Sequence, residues 1–216
     1  MLSVSLLTLG SPEQLTGGYL YHRRMADLAP AYDAQVRFVS FAPRRFPLPV
    51  GEAPSVIRRA QEPPTGILLL DSICAAYAAP WLATRRPTVP LAAILHQPPG
   101  GLDFDGVRRK VQQALDNVAY RRTDLLILAS EALRDQLPRQ LLRGREVVVV
   151  PPGRDVAADA RDVGDLRRGR RCAFLSVGNW LPRKGILDLL EAFARLPAAQ
   201  PTTGRPAAIA SPYTVP

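Results

Sequence analysis

Short runs that are mostly apolar, on both faces, recur through the first two thirds of the chain: Ser3–Leu9, Gln35–Phe41, Ile67–Asp71, Leu91–His96, Asp124–Ala129 and Glu146–Val150. A strand with one wet face would alternate apolar and polar residues. A strand that is apolar throughout must be covered on both faces, as in a parallel sheet packed between helices. No other feature of the sequence narrows the fold as far.

The stretches between the runs carry helical spacing. In Gly18–Leu28, continuing to Ala29, the residues Tyr21, Met25, Leu28 and Ala29 fall at i, i+4, i+7 and i+8. In Phe104–Tyr120 the set is Phe104, Val107, Val111, Leu115, Val118 and Ala119. Leu133, Leu137 and Leu141 line one helix that Ser130 caps, with Glu131 in its first turn. Ile73–Leu82 reads as a helix that ends at Pro80 or shortly after. Strand alternating with helix predicts a doubly wound α/β domain over residues 1–153, closed by Pro151-Pro152-Gly153.

Residues 154–171 are polar, rich in Arg and Asp, and read as a linker. Cys172–Val177 is again strand-like, 178–184 a loop, and Gly185–Leu196 a helix with Ile186, Leu189, Leu190 and Phe193 on one face. This is the first strand–loop–helix of a second α/β unit. Residues 197–216 hold five prolines and no usable period. One strand and one helix cannot cover each other's apolar faces, so the second unit is expected to be truncated and the tail irregular, as from a shifted reading frame.

The chain has 28 Lys and Arg against 19 Asp and Glu, a net charge of +9. The cations are almost all Arg and are scattered as pairs, which suits solvated helix faces and the codon bias of a GC-rich gene better than a nucleic-acid surface. No recognition helix or aromatic-rich strand accompanies them, so no specific nucleic-acid binding is expected. Cys74 and Cys172 stand far apart without metal or disulfide spacing, which favours a reducing, cytoplasmic setting. No apolar run approaches the length of a membrane span, and Met1–Leu7 lacks the positive start of a signal peptide.

Few residues carry chemistry. Thr16-Gly17-Gly18 falls between the first strand and the first helix, where free N–H groups can meet an anion; a plain tight turn is the other reading. Asp71 and His96 end the third and fourth strands, the edge at which open α/β sheets bind ligands. Asp71 also suits a helix N-cap. His96 precedes Gln97-Pro98-Pro99-Gly100-Gly101, which must be a loop. Arg183 and Lys184 precede the last helix, where two cations oppose the helix dipole unless a phosphate joins them. Two solvated basic residues on a loop are the alternative. P-loop, nucleophile-elbow and GxGxxG patterns are absent, and two histidines are few for a metal site, so no metal is expected.

Taken together, these pieces resemble the family-four retaining glycosyltransferases. The matching residues are Leu15–Tyr21 after the first strand, Asp71, Ile94-Leu95-His96 before a proline, Leu126–Ser130, Val147–Val150 with Pro151-Pro152-Gly153-Arg154-Asp155, and Leu175-Ser176-Val177-Gly178 through Pro182-Arg183-Lys184-Gly185. Their order and spacing agree over residues 1–196. The resemblance implies two Rossmann-like domains facing a cleft, the N-terminal one taking the acceptor and the C-terminal one the donor. It implies transfer of a sugar from a nucleotide diphosphate to an acceptor hydroxyl with retention, with the nucleotide sugar as substrate and no cofactor. By position, Gly17 and Gly18 lie near donor phosphates or acceptor, and His96 contacts the transferred sugar or acceptor as the catalytic residue. Lys184, helped by Arg183, stabilises the leaving diphosphate. Asp71, Gln97 and Asn179 are candidate substrate contacts; many relatives carry Arg where this chain has Asn179. The family's remaining donor-binding strands and its pair of glutamates have no counterpart in 198–216, so the chain alone is expected to be inactive. A second class of function is a binding module completed by a partner, with peripheral membrane contact through Arg44-Arg45-Phe46-Pro47-Leu48, which otherwise reads as an ordinary surface loop.

Overall fold

All six strands expected in the first domain form, and they pair only in parallel. They are β1 (Leu2–Leu9), β2 (Ala34–Phe41), β3 (Ile67–Asp71), β4 (Leu91–Leu95), β5 (Leu125–Leu128) and β6 (Glu146–Val149). The computed structural model describes residues 1–14, 16–44, 46–153, 167, 173–177 and 184–196. The chain divides into two compact units, Met1–Arg154 and Asp155–Pro216.

In the first unit the sheet order is β2-β1-β3-β4-β5-β6. Leu6 of β1 stands opposite Phe38 of β2 on one side and Leu69 of β3 on the other. The chain therefore leaves β1 in one direction to make β2 and returns to the other side of β1 to make β3. That reversal makes the carboxyl ends of β1 and β3 the switch point of the sheet, where a crevice is expected in open α/β folds. The fold is the doubly wound, Rossmann-like α/β sheet that the apolar runs predict.

Seven helices are described: α1 (Gly17–Leu28), α2 (Ala53–Ala60), α3 (Ala75–Thr84), α4 (Gly106–Tyr120), α5 (Glu131–Gln136), α6 (Arg139–Leu142) and, in the second unit, α7 (Ile186–Ala194). One sheet face packs Leu7, Leu68, Leu70, Leu95 and Leu126 against residues of α2 to α6. The other face carries Leu6, Leu69, Ala92 and Ile94 and meets Tyr21 and Met25 of α1. Both faces are covered, but unequally.

Two helices depart from the sequence reading, and a third, after β3, agrees with it. No helix is expected between β2 and β3, yet α2 is there, burying Ala53, Val56, Ile57 and Ala60 at helical spacing with a proline in its first turn. The helix after β3 begins as a 3-10 turn over Ser72–Cys74 and runs through Pro80 to Thr84. Leu82, beyond the proline, is 1 % exposed, and its burial outweighs the lost backbone bond. The single helix expected to carry Leu133, Leu137 and Leu141 is two. Leu137 precedes Pro138 and is held extended at ψ 140, which ends α5 and lets α6 restart. All three leucines are still buried. Ser130 caps α5 as expected, its Oγ accepting from the Leu133 N–H at 3.1 Å.

In the second unit the described residues 173–177 form no strand, contrary to expectation. A strand needs a paired neighbour, and none exists among the described residues; Leu175 is 83 % exposed. Helix α7 forms after Gly185, whose φ of 62 suits glycine, and none of its residues is buried. Phe174 and Phe193 meet edge to face, ring centres 5.2 Å apart. Cys172 and residues 197–216 lie outside the described residues. Among the described residues no helix is long and apolar enough to cross a membrane.

Candidate functional site

The switch point at the ends of β1 and β3 gathers most of the candidate residues of the first unit. Helix α1 starts there at Gly17, with Thr16 making no side-chain cap and no acidic residue in the first turn. Its leading N–H groups are therefore left for an anion or water. A methyl group on Gly17 would meet nothing within 4 Å, whereas one on Gly18 would touch the His96 ring at 3.5 Å. Gly18 and His96 are thus packed face to face. The glycine pair is not required by backbone conformation, since neither residue has a positive φ.

Asp71, at the end of β3, takes the N-cap role that the sequence allowed. Its Oδ1 accepts from the Ile73 N–H at 3.2 Å, which makes it the N-cap of the next turn. Its Oδ2 accepts from Thr8 Oγ1 on β1 at 2.9 Å. The same Oδ2 lies 3.6 Å from Nδ1 of His22. Burial raises the Asp71 carboxyl above its usual range, against the charge of His96 and three hydrogen bonds that pull it down.

His22 was not among the expected site residues. It sits one helical turn after Gly18, so its ring falls on the same face of α1. That spacing, with only two histidines in the chain, was the available signal. Its Nε2 is 2.9 Å from Nε2 of His96. The ring is fully buried, and burial lowers its pKa to about 4. His96 is also lowered, by burial first and by His22, with the Asp71 charge opposing. Tyr21 lies edge-on to His96 with ring centres 5.2 Å apart, and its hydroxyl donates to the Val150 carbonyl at 3.2 Å, which ties α1 to the end of β6.

The loop after His96 is pinned from α4. Asp116 is 2 % exposed, and its Oδ2 accepts from the Gly100 N–H at 2.8 Å. Gly100 has φ +93, and a Cβ there would lie 3.0 Å from the Arg109 carbonyl oxygen. Gly101, at φ +70, completes the turn. The side-chain amide of Gln97 lies against Gly101.

The other candidates are elsewhere. Lys184 is exposed just before α7 in the second unit; Arg183 and Asn179 lie outside the described residues. In the loop read as a membrane contact, Phe46 stacks on Tyr77 at 5.9 Å and Arg44 pairs with Glu52 at 3.5 Å, while Leu48 is exposed. Phe46 is therefore spent on packing. Cys74 is buried, its thiol donating to the Leu7 and Asp71 carbonyls.

Among the described residues, His22, Asp71 and His96 are the group whose ligand-type atoms lie within 4.8 Å of one another. Two ligands of a tetrahedral zinc stand about 3.3 Å apart, from bonds of about 2.0–2.1 Å. The 2.9 Å between the two ring nitrogens is instead the length of an N–H···N hydrogen bond. In the trio the two rings are hydrogen-bonded to each other, and the Asp71 carboxylate stands 3.6 Å behind Nδ1 of His22, beyond hydrogen-bond length.

A family model described as "Glycosyl transferase 4-like domain" matches residues 2–153. No curated protein matches the chain.

Proposed function

The chain belongs to the glycosyl transferase 4-like family, and from that premise we propose that it serves transfer of a sugar from a nucleotide diphosphate donor to an acceptor hydroxyl with retention of configuration. The observation that carries the reading is the meeting of the α1 N-terminus, Gly18, His96 and Asp71 at the β1/β3 switch point. In this reading residues 1–153 take the acceptor and present His96 to a sugar hydroxyl. The uncapped N–H groups of Gly17 and Gly18 attract an anionic phosphate. Lys184, with Arg183, stabilises the charge that develops on the departing diphosphate, so the residues themselves supply that electrostatic help. Gln97, Asp71 and Asn179 act as substrate contacts, Asp71 through the groups it holds.

The division of labour places donor binding in a second α/β unit. The described residues of that unit leave Phe174, Leu175, Leu187 and Leu196 exposed. The 216-residue chain is therefore expected to bind acceptor sugars and to turn over no nucleotide sugar by itself. The experiment incubates the purified chain with labelled uridine, guanosine and adenosine diphosphate sugars and a panel of glycoside acceptors, and measures binding and transfer separately. Acceptor binding that His96→Ala loses supports the reading. Turnover by the chain alone overturns the division of labour, and no binding of any sugar overturns the reading itself.

A further inference from the structure

Two imidazoles in direct contact share one hydrogen, so the state of one ring dictates the state of the other. His22 and His96 meet through Nε2 at 2.9 Å, and with both rings neutral only one can donate. Which one donates is decided on the far side of His22. There Nδ1 is buried without a hydrogen bond, and the nearest charged oxygen it faces is Asp71 Oδ2 at 3.6 Å. Asp71 receives hydrogens at both oxygens, from Ile73 N–H and from Thr8 Oγ1. A lone pair aimed at an accepting oxygen is repulsive, so Nδ1 of His22 carries the hydrogen. Nε2 of His22 is then the acceptor, and Nε2 of His96 the donor.

We propose that His22 is a positioning residue that fixes the tautomer of His96, through the chain Asp71–His22–His96, and so leaves His96 with a bare Nδ1 that accepts a hydrogen bond from a ligand hydroxyl. The consequence is a rule of specificity. At this point the site takes a hydrogen-bond donor, such as a sugar hydroxyl, and rejects a phosphate or carbonyl oxygen. Phosphate is left to the uncapped N–H groups of α1. His96 is half-buried, whereas His22 behind it is fully buried. Burial keeps His22 neutral near pH 7, which preserves its acceptor lone pair. The proposal rests on the glycosyltransferase reading only for the identity of the hydroxyl, since the ring chain itself is read from distances.

The chain has two histidines, so a long-range proton–nitrogen correlation spectrum of the nitrogen-15-labelled chain at pH 7 contains two imidazoles. The expected result is a pair of locked tautomers, His22 protonated at Nδ1 and His96 at Nε2. His22→Phe removes the acceptor, and His96 then shows the averaged nitrogen shifts of two exchanging tautomers. His22→Gln supplies a carbonyl oxygen in its place and restores the Nε2–H pattern, which keeps the test available should the Phe variant fold poorly. A wild-type His96 protonated at Nδ1, or a His96 pattern indifferent to both substitutions, overturns the proposal. A second arm adds methyl glycosides and, separately, inorganic pyrophosphate. Movement of the His96 Nδ1 signal with the glycosides and not with pyrophosphate is expected, and movement with pyrophosphate alone overturns the specificity rule. Locked tautomers with no response to any sugar leave the ring chain standing and count against the glycosyltransferase reading.

Discussion

Asp116→Asn tests the anchor of the His96 loop with a magnitude set by the structure. Asp116 is buried on α4, holds Gly100 through Oδ2, and leaves Oδ1 without a hydrogen bond. Burial pushes its carboxyl from the ordinary 3.8 up to about 7. The folded chain therefore holds this proton more tightly than the unfolded chain. The stabilisation is fully present below pH 3.8 and is lost as pH rises to 7. The whole shift corresponds to about 4 kcal/mol, of which about 2–3 kcal/mol is lost between about pH 5 and pH 8. Asparagine keeps the carbonyl oxygen for Gly100 and cannot ionise. Its amide nitrogen, standing where Oδ1 was, costs about 1–3 kcal/mol at either pH. The variant should thus gain about 2–3 kcal/mol on the wild type between the two pH values. Other titrating groups, His22 included, are common to both chains and drop out of the difference. Urea unfolding of both chains, monitored by circular dichroism at pH 5 and pH 8, reads it directly. An equal stability difference at both pH values refutes the reasoning, because it means Asp116 ionises as freely in the fold as in water.

Three further outcomes are expected. Gly17→Ala has open space for its methyl group and no positive φ to strain, so the fold should gain about 0.5 kcal/mol in urea unfolding, while pyrophosphate affinity, measured by calorimetry, falls if these N–H groups receive the anion. Gly100→Ala forces a side chain into a left-handed backbone 3.0 Å from the Arg109 carbonyl oxygen; a loss of about 2–4 kcal/mol is expected in the same unfolding assay. His22, lowered from 6.5 to about 4, stabilises the fold fully above pH 6.5 and progressively less as pH falls to 4. The wild type should lose about 2 kcal/mol through this ring between about pH 7 and pH 4.5, and His22→Gln should flatten that limb; an unchanged acid limb in the variant counts against a buried neutral ring.

The strands were legible because a buried parallel strand is apolar on both faces over a short run. Leu68, Leu69 and Leu70 of β3 show the pattern plainly: successive residues point to opposite cores. Helix ends were less legible, since they turn on single residues whose effect depends on packing. Pro138 breaks a leucine-lined helix, with Leu137 before it held extended, while Pro80 sits inside a helix that continues far enough to bury Leu82. Strand order is not written in any one segment; it is set by which faces find cover, so the β1/β3 switch point could only be inferred from fold class. The site shows the same division. His96 and Asp71 were identified from their places at strand ends, and Gly18 from its place before a helix. His22 was overlooked because it lies beside the apolar stripe of Tyr21 and Met25, where a polar ring has no value until its partner is known. Asp116, remote in sequence from the loop it holds, carried no local signal.

The proposed meeting place of substrates in this glycosyl transferase 4-like domain is the β1/β3 switch point. The most direct measurement titrates the nitrogen-15-labelled chain with methyl glycosides and with uridine diphosphate, and maps the backbone amides that shift. Shifts clustered at Gly17, Gly18, Asp71, His96 and Gln97 are expected. Shifts confined to the other end of the sheet, or to the open apolar face around Met25 and Leu125, would contradict it.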